Sequence, residues 1–289
     1  MKNTYAVSYK KLSIPCVKQI LTAIEKILRK YNKKFFLIGA LARDIILELI
    51  HERSVYRSTM DIDIAVLLSN WNQYDKIMHA LIDSEGFSKT KEKHRLVYSH
   101  QTDRVVVDII PVGDISKPAD VITWPPGYEV VMTTIGFDEV YKNAIVIKFN
   151  GDLEIKCASL EGLTILKLAA WCDRQREKDA VDLKIILINY FDIYSEEIYE
   201  KHFSLIQDPN FDYEKCGARV LGRKIKEIIK DNPRLKGKIV SLLKKETADI
   251  DNSRLSLGMR KVFPILRDDD YKANYELLEQ LLLGIEEDE

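Results

Sequence analysis

Asp61 and Asp63 stand one residue apart in STMDIDIAVLL (58–68), inside an otherwise apolar run. In a β-strand, positions i and i+2 point to the same face. Two like charges would then share one face while Ile62, Ile64, Val66 and Leu68 share the other. Carboxylates withdrawn from water are costly unless a cation sits against them. A third, Asp108, lies in RVVVDIIPV (104–112), where every neighbour is apolar. Taken singly, each aspartate reads as a buried salt bridge or a strand-end cap. Taken together, the three are hard oxygen donors of the kind that hold Mg²⁺, with substrate phosphates completing the shell. Two such ions would clamp the attacking and leaving oxygens of a phosphoryl transfer.

Further residues could handle the phosphates. Gly39 sits where a strand turns into a helix in LIGALARD (37–44). A helix start presents unpaired N–H groups, and glycine lets a backbone approach closely. Lys167 interrupts a helix that is apolar almost all round, with Trp171 and Arg174 on its face. Its ammonium must either snorkel to solvent or meet an anion, and a triphosphate is one such anion. Asp179 and Asp182 follow one turn apart, with Arg176 just before them, a spacing equally suited to a surface ion-pair ladder. From Lys215 to Lys245 there are eleven Lys or Arg and two acids, and Arg219, Arg223, Lys226 and Lys230 recur at helical spacing. That stripe is either a solvated helix face or a track for the phosphate backbone of RNA such as a tRNA end.

The elements that must position these groups follow from periodicity and punctuation. Helices are expected over 16–31, 40–50, 70–86 and 136–142, and strands over 33–39, 61–68, 94–99 and 104–112, the last two as an antiparallel hairpin. WPPG (124–127) reads as a loop, and a second hairpin is expected around FNGD (149–152). From about residue 158 the pattern is helical: 159–174, 177–191, 195–206, 215–230, 234–246 and 271–285. We therefore expect an α+β fold, a core of mixed sheet flanked by helices over 1–157 and a mostly helical domain over 158–289, with the active site in the cleft between them. The EEDE end reads as a solvated tail.

Composition narrows the classes. The 289 residues are 46% hydrophobic and 31% charged with a formal net charge of −1, which suits a folded chain and confines any polyanion affinity to a local patch. Four scattered cysteines and five histidines show neither Cys-x-x-Cys nor H-E-x-x-H spacing, which argues against zinc and against a disulfide framework. With neither a secretory leader pattern nor a long apolar span, a cytoplasmic protein is expected.

An apolar–Gly turn, then Asp-x-Asp, then apolar–Asp–apolar resembles the DNA polymerase β-like nucleotidyltransferases, matching at Gly39, Asp61, Asp63 and Asp108. Ala40 stands where that pattern carries Gly or Ser, and the interval to Asp61 is longer than is common. GALARDIIL is also similar to the opening of CCA-adding enzymes at Gly39, Arg43 and Asp44. Lys167 followed by R-x-K-D-x-x-D resembles the AbiEii-type nucleotidyltransferase toxins of type IV toxin–antitoxin systems over about residues 35–190. Asp179 and Asp182 both match, with Asp182 slightly preferred. The resemblance implies transfer of a nucleoside monophosphate from an NTP to an acceptor. Asp61, Asp63 and Asp108 would bind two Mg²⁺, Gly39 and Ala40 would cradle phosphate, Lys167 and Asp182 would act in the site, and an antitoxin would be a partner. Two readings compete: tRNA 3′-end maturation, and a non-catalytic binding module on the same fold.

Overall fold

The alternation in DIDIAVL buries Ile62, Ile64 and Val66 completely and leaves Asp61 and Asp63 on the less buried face of their strand. That strand is the middle of an α+β fold. The computed structural model describes residues 4–9, 12–53, 61–128, 131–149, 153–260 and 270–287. It divides into two compact units, Met1–Ser159 and Leu160–Glu289.

The first unit contains strands β1 (Thr4–Val7), β2 (Phe35–Ile38), β3 (Asp61–Leu67), β4 (Phe87–Lys89), β5 (Arg95–His100), β6 (Asp103–Val112), β7 (Val121–Thr123), β8 (Val131–Thr133), β9 (Ile145–Phe149) and β10 (Leu153–Cys157). Eight of them form one sheet in the order β1-β9-β10-β2-β3-β6-β5-β4, and β7 pairs with β8. The sheet is mixed. β3 runs parallel to β6 and antiparallel to β2, while β5 and β6 form the expected antiparallel hairpin. Helices α1 (Val17–Lys30), α2 (Gly39–Asp44), α3 (Trp71–Ile82) and α4 (Phe137–Lys142) complete the unit.

α1 shows why sequence determines local structure here. Ile20, Leu21, Ile24 and Leu28 fall on one face and are wholly buried, and Arg29 and Lys30 complement the C-terminal dipole. α2 is shorter than expected and passes into one widened, π-helical stretch over Ile45–Ile50. α3 is capped by the Asn70 side chain, which accepts from the Gln73 N–H. β1, β4, β7 and β8 were not expected, being three or four residues long and too short to show alternation. The FNGD tip falls at 150–152, outside the described residues, as do positions 58–60 of the aspartate run.

The second unit is helical: α5 (Leu160–Arg174), α6 (Glu177–Lys201), α7 (Phe203–Ile206), α8 (Tyr213–Ile229), α9 (Pro233–Glu246), α10 (Arg254–Met259) and α11 (Asp270–Glu286). The two helices expected over 177–206 are one long helix kinked at Tyr194, followed by a short one, and α10 was not expected. α8 and α11 pack so closely that a Cβ added at Gly222 or Gly284 would overlap the other helix's backbone. Among the described residues, no helix is long and apolar enough to cross a membrane.

Candidate active site

The row of charges is built by strand register. Asp63 of β3 is level with Ile38 of β2 on one side and Asp108 of β6 on the other, and Asp108 is level with Arg95 of β5. Register partners on adjacent strands point to the same face. Arg95, Asp108 and Asp63 thus form a line across the sheet, with Asp61 two residues along β3 on the same face. At the end of β2 the chain turns at Gly39 with φ +71°. A Cβ there would overlap a carboxylate oxygen of Asp63 and stand 2.8 Å from its Cγ. Gly39 is needed for two reasons: its left-handed backbone and the absence of a side chain where Asp63 lies.

Asp108 is not a free carboxylate. Arg95 Nε donates to its Oδ1 and Nη2 to its Oδ2, both at 2.8 Å, a bidentate fork. The Asp108 side chain is 8% exposed and that of Arg95 33%. Hydrogen bonding to Asp108, opposed by burial and helped by the charges of Asp108, Glu92 and Asp61, holds the guanidinium above the usual arginine range. Tyr74 lies beside the pair. Its hydroxyl bonds to the carbonyls of Ile109 (3.1 Å) and Lys93 (3.2 Å). Burial, with the charges of Asp75 and Asp108, raises its pKa well above that of a free tyrosine, so it stays a phenol.

A Mg²⁺ implied by the resemblance can be tested against this geometry. The donor chemistry and the register suit a hard cation. The side chains as they stand form no cage: Arg95 takes both oxygens of Asp108. Among the described residues, no three His, Cys, Asp or Glu groups are close enough to hold an ion. The metal-ligand role of Asp61, Asp63 and Asp108 stays a proposal, with Asp108 clasped by Arg95 in the structure. Arg43 and Asp44, the other resemblance positions, form a buried ion pair with 2.6 and 2.8 Å contacts.

In the helical unit, Lys167 Nζ lies 2.6 Å from Asp182 and 3.1 Å from Asp179. Arg174 holds Asp179 from the other side at 3.0 and 3.2 Å. Burial alone would lower the lysine's pKa, but Asp182 and Asp179 outweigh it and raise it, so the ammonium stays charged. Two readings of the sequence are overturned. Lys167 does not snorkel, since an internal anion pair takes it. Asp179 and Asp182 are not a surface ladder, being 1% and 3% exposed and paired with Lys167 and Arg174 rather than Arg176.

The basic stripe is corrected as well. Glu287 binds Arg219 at 2.6 Å and also binds Arg223, and the Glu287 carbonyl accepts from Lys226. Lys230 pairs with Glu227. Arg219, Arg223 and Lys226 thus meet the end of the chain after α11, while Lys230 stays exposed beside Glu227. By the same contacts Glu287 leaves the solvated tail expected for EEDE, while residues 288 and 289 lie outside the described residues.

The profile of the AbiEii family, nucleotidyl transferase toxins of type IV toxin–antitoxin systems, matches residues 22–213. The chain belongs to the AbiEii family. The match spans the carboxylate row and the Lys167–Asp179–Asp182 cluster of this AbiEii protein, and it bears out the resemblance read from the sequence. No curated protein matches the chain. Among solved structures, the chain is similar to a nucleotidyltransferase from H. pylori, at 15% identity over 93% of this chain and 92% of that one, with a TM-score of 0.35. It is similar also to the CdnE cyclic dinucleotide synthase of Elizabethkingia meningoseptica with GTP and Apcpp, at 13% identity, 96% and 94% coverage and a TM-score of 0.30. Similarity at that level adds nothing to the assignment, which rests on the family match.

Arg95 was missed in the sequence, as was the aromatic group Trp71, Tyr74 and Trp124, whose ring centroids lie 5.2 to 5.6 Å apart. A signal for Arg95 existed in KTKEKHR, where cations alternate at 89, 91, 93 and 95.

Proposed function

We propose that this AbiEii protein transfers a nucleoside monophosphate from an NTP to an acceptor, using the carboxylate face of its sheet. The observation that carries this reading is the row Gly39–Asp63–Asp108, in which the helix-opening turn lies directly against one carboxylate and strand register sets the next beside it. Phosphate meets the N–H groups after Gly39 and Ala40. Asp61 and Asp63 are the residues that would hold Mg²⁺, which when bound neutralises the triphosphate and acidifies the attacking hydroxyl. Asp108, once Arg95 turns from it, is placed to accept that hydroxyl's proton. Arg95, released, supplies a bidentate cation for a phosphate oxygen.

Incubation with each labelled NTP, Mg²⁺ and total cellular RNA or protein tests it. Pyrophosphate release with label on an acceptor is expected, lost in a folded Asp63→Ala variant. Transfer near the wild-type rate in that variant would remove the carboxylate row from the chemistry. The Arg95–Asp108 fork also favours a second reading, a non-catalytic nucleotide-binding module in which arginine is the permanent counter-ion. Nucleotide binding without transfer under every acceptor condition, in wild type and in Arg95→Ala alike, would select it.

A further inference from the structure

Next to the carboxylate row, on the side away from Gly39, lies a cavity of about 240 Å³. Three strand steps separate the Gly39 turn from Arg95, roughly 14 Å at ~4.8 Å each. The cavity's floor is aromatic: Trp71 and Trp124 line it with Tyr74. Trp124 and Tyr74 are buried, while Trp71, opening α3, is half-buried. The rim is cationic. Lys89, Lys91, Lys93 and Arg95 all line the cavity, against the carboxylates of Asp75 and Glu92. The three lysines are exposed, and among the described residues no carboxylate pairs with them. They differ from the α8 stripe, whose cations are engaged by Glu287 and Glu227.

A half-buried indole over a ring of uncommitted cations is complementary to a ligand with a planar apolar face and an adjoining negative charge. We infer that this cavity seats an unpaired nucleotide, its base stacked on Trp71 and its phosphate among Lys89, Lys91 and Lys93. Base–aromatic stacking tolerates any base, and cations beside the platform track the backbone. The volume is below the ~300–1,000 Å³ of closed ligand pockets, so the cavity takes one base and sugar, not a duplex. Arg95 connects it to the chemistry, because the guanidinium that lines this cavity is the one that clasps both oxygens of Asp108. A phosphate arriving at the rim competes with Asp108 for Arg95, and the carboxylate is freed as the nucleotide settles. As the acceptor's seat the cavity rests on the nucleotidyl-transfer reading. As a binding site it stands without it.

The test reads binding without NTP or metal, so its failure and a failure of transfer are distinguishable. Of the three tryptophans, two line the cavity and the third is Trp171 in the helical unit. Titration of the full chain with a short 5′-phosphorylated single-stranded RNA should quench tryptophan fluorescence. Trp71→Ala should weaken affinity about tenfold or more. A Lys91→Glu, Lys93→Glu variant, changed only at exposed side chains, should bind weakly and with a salt slope shallower by about 0.7 for each phosphate no longer neutralised. AMP competing at the same concentration as the RNA would support the cavity and assign it to free nucleotides. AMP failing to compete would assign it to strand ends. Affinity and quenching unchanged in both variants would overturn the proposal, as would equal binding of blunt duplex RNA.

Discussion

At the residue scale, Gly39 and Lys167 show opposite kinds of constraint. Alanine at Gly39 would take about 1–2 kcal/mol of left-handed backbone strain and also displace the Asp63 carboxylate it overlaps. Gly39→Ala should thus lose transfer activity far out of proportion to its drop in stability, and comparing a urea midpoint with a pyrophosphate assay checks this. Activity that falls only as far as the folded fraction would place Asp63 outside the site. Lys167 is different, because it contacts two buried carboxylates. Removing one partner of such a cluster typically costs roughly 3–5 kcal/mol, and Arg174 still covers Asp179. Lys167→Ala should fall near the lower end of that range in chemical denaturation, with Lys167→Ala, Asp182→Asn recovering part of the loss. A single variant within about 0.5 kcal/mol of wild type, the scale of an ordinary surface substitution, would show the cluster to be solvated.

At the element scale, the pairing of α8 with α11 includes the close approach at two glycines, the contacts of Glu287 and a Lys215–Glu276 ion pair. Gly284 faces the Arg219 and Arg223 backbone, so Gly284→Ala pushes backbone against backbone. Overpacking of that sort costs typically about 1–3 kcal/mol, and a thermal melt should show it. Glu287 adds a pH dependence. Burial would raise its pKa, but Arg223 and Arg219 pull it below the usual glutamate value. A depressed carboxylate stabilises the fold above its unfolded pKa, about 4.3, and loses that contribution as pH falls through its folded pKa. Protection of the α11 amides from exchange, relative to the free-chain rate at each pH, should therefore fall below about pH 4 in wild type and be already reduced near neutrality in Glu287→Gln. A pH profile identical in the two proteins would exclude the Glu287 contacts as its cause.

At the scale of the whole molecule, the same sheet carries the core on one face and the charge row on the other. Ile62, Ile64, Val107 and Ile109 are fully buried directly between the charged positions. On this face Asp63→Ala should abolish transfer in protein that its denaturation midpoint shows to be folded. A collapse of the midpoint would show Asp63 to be a structural partner instead. Arg95→Ala tests the other end of the row. Loss of stability is expected, because Asp108 is left buried without its fork.

Much of this was legible in linear order. Spacing alone put Asp61 and Asp63 on one face, and apolar neighbours marked Asp108 as a carboxylate in need of a cation. Helical periodicity located α1, α8 and α9, because each buries a continuous stripe and local pattern carries that information. Which cation each carboxylate meets was not legible. Arg95 meets Asp108 only because β5 pairs with β6 at one register, and Glu287 meets Arg219 only because α11 returns along α8. Lys167 could be read as bound for solvent or phosphate until the turn after α5 brought Asp179 and Asp182 against it. The short strands β1, β4, β7 and β8 were invisible for the same reason: three or four residues hold too little pattern, and a partner strand alone decides them. Periodicity is written along the chain, whereas ion pairs between distant residues follow from packing, which only the tertiary structure determines.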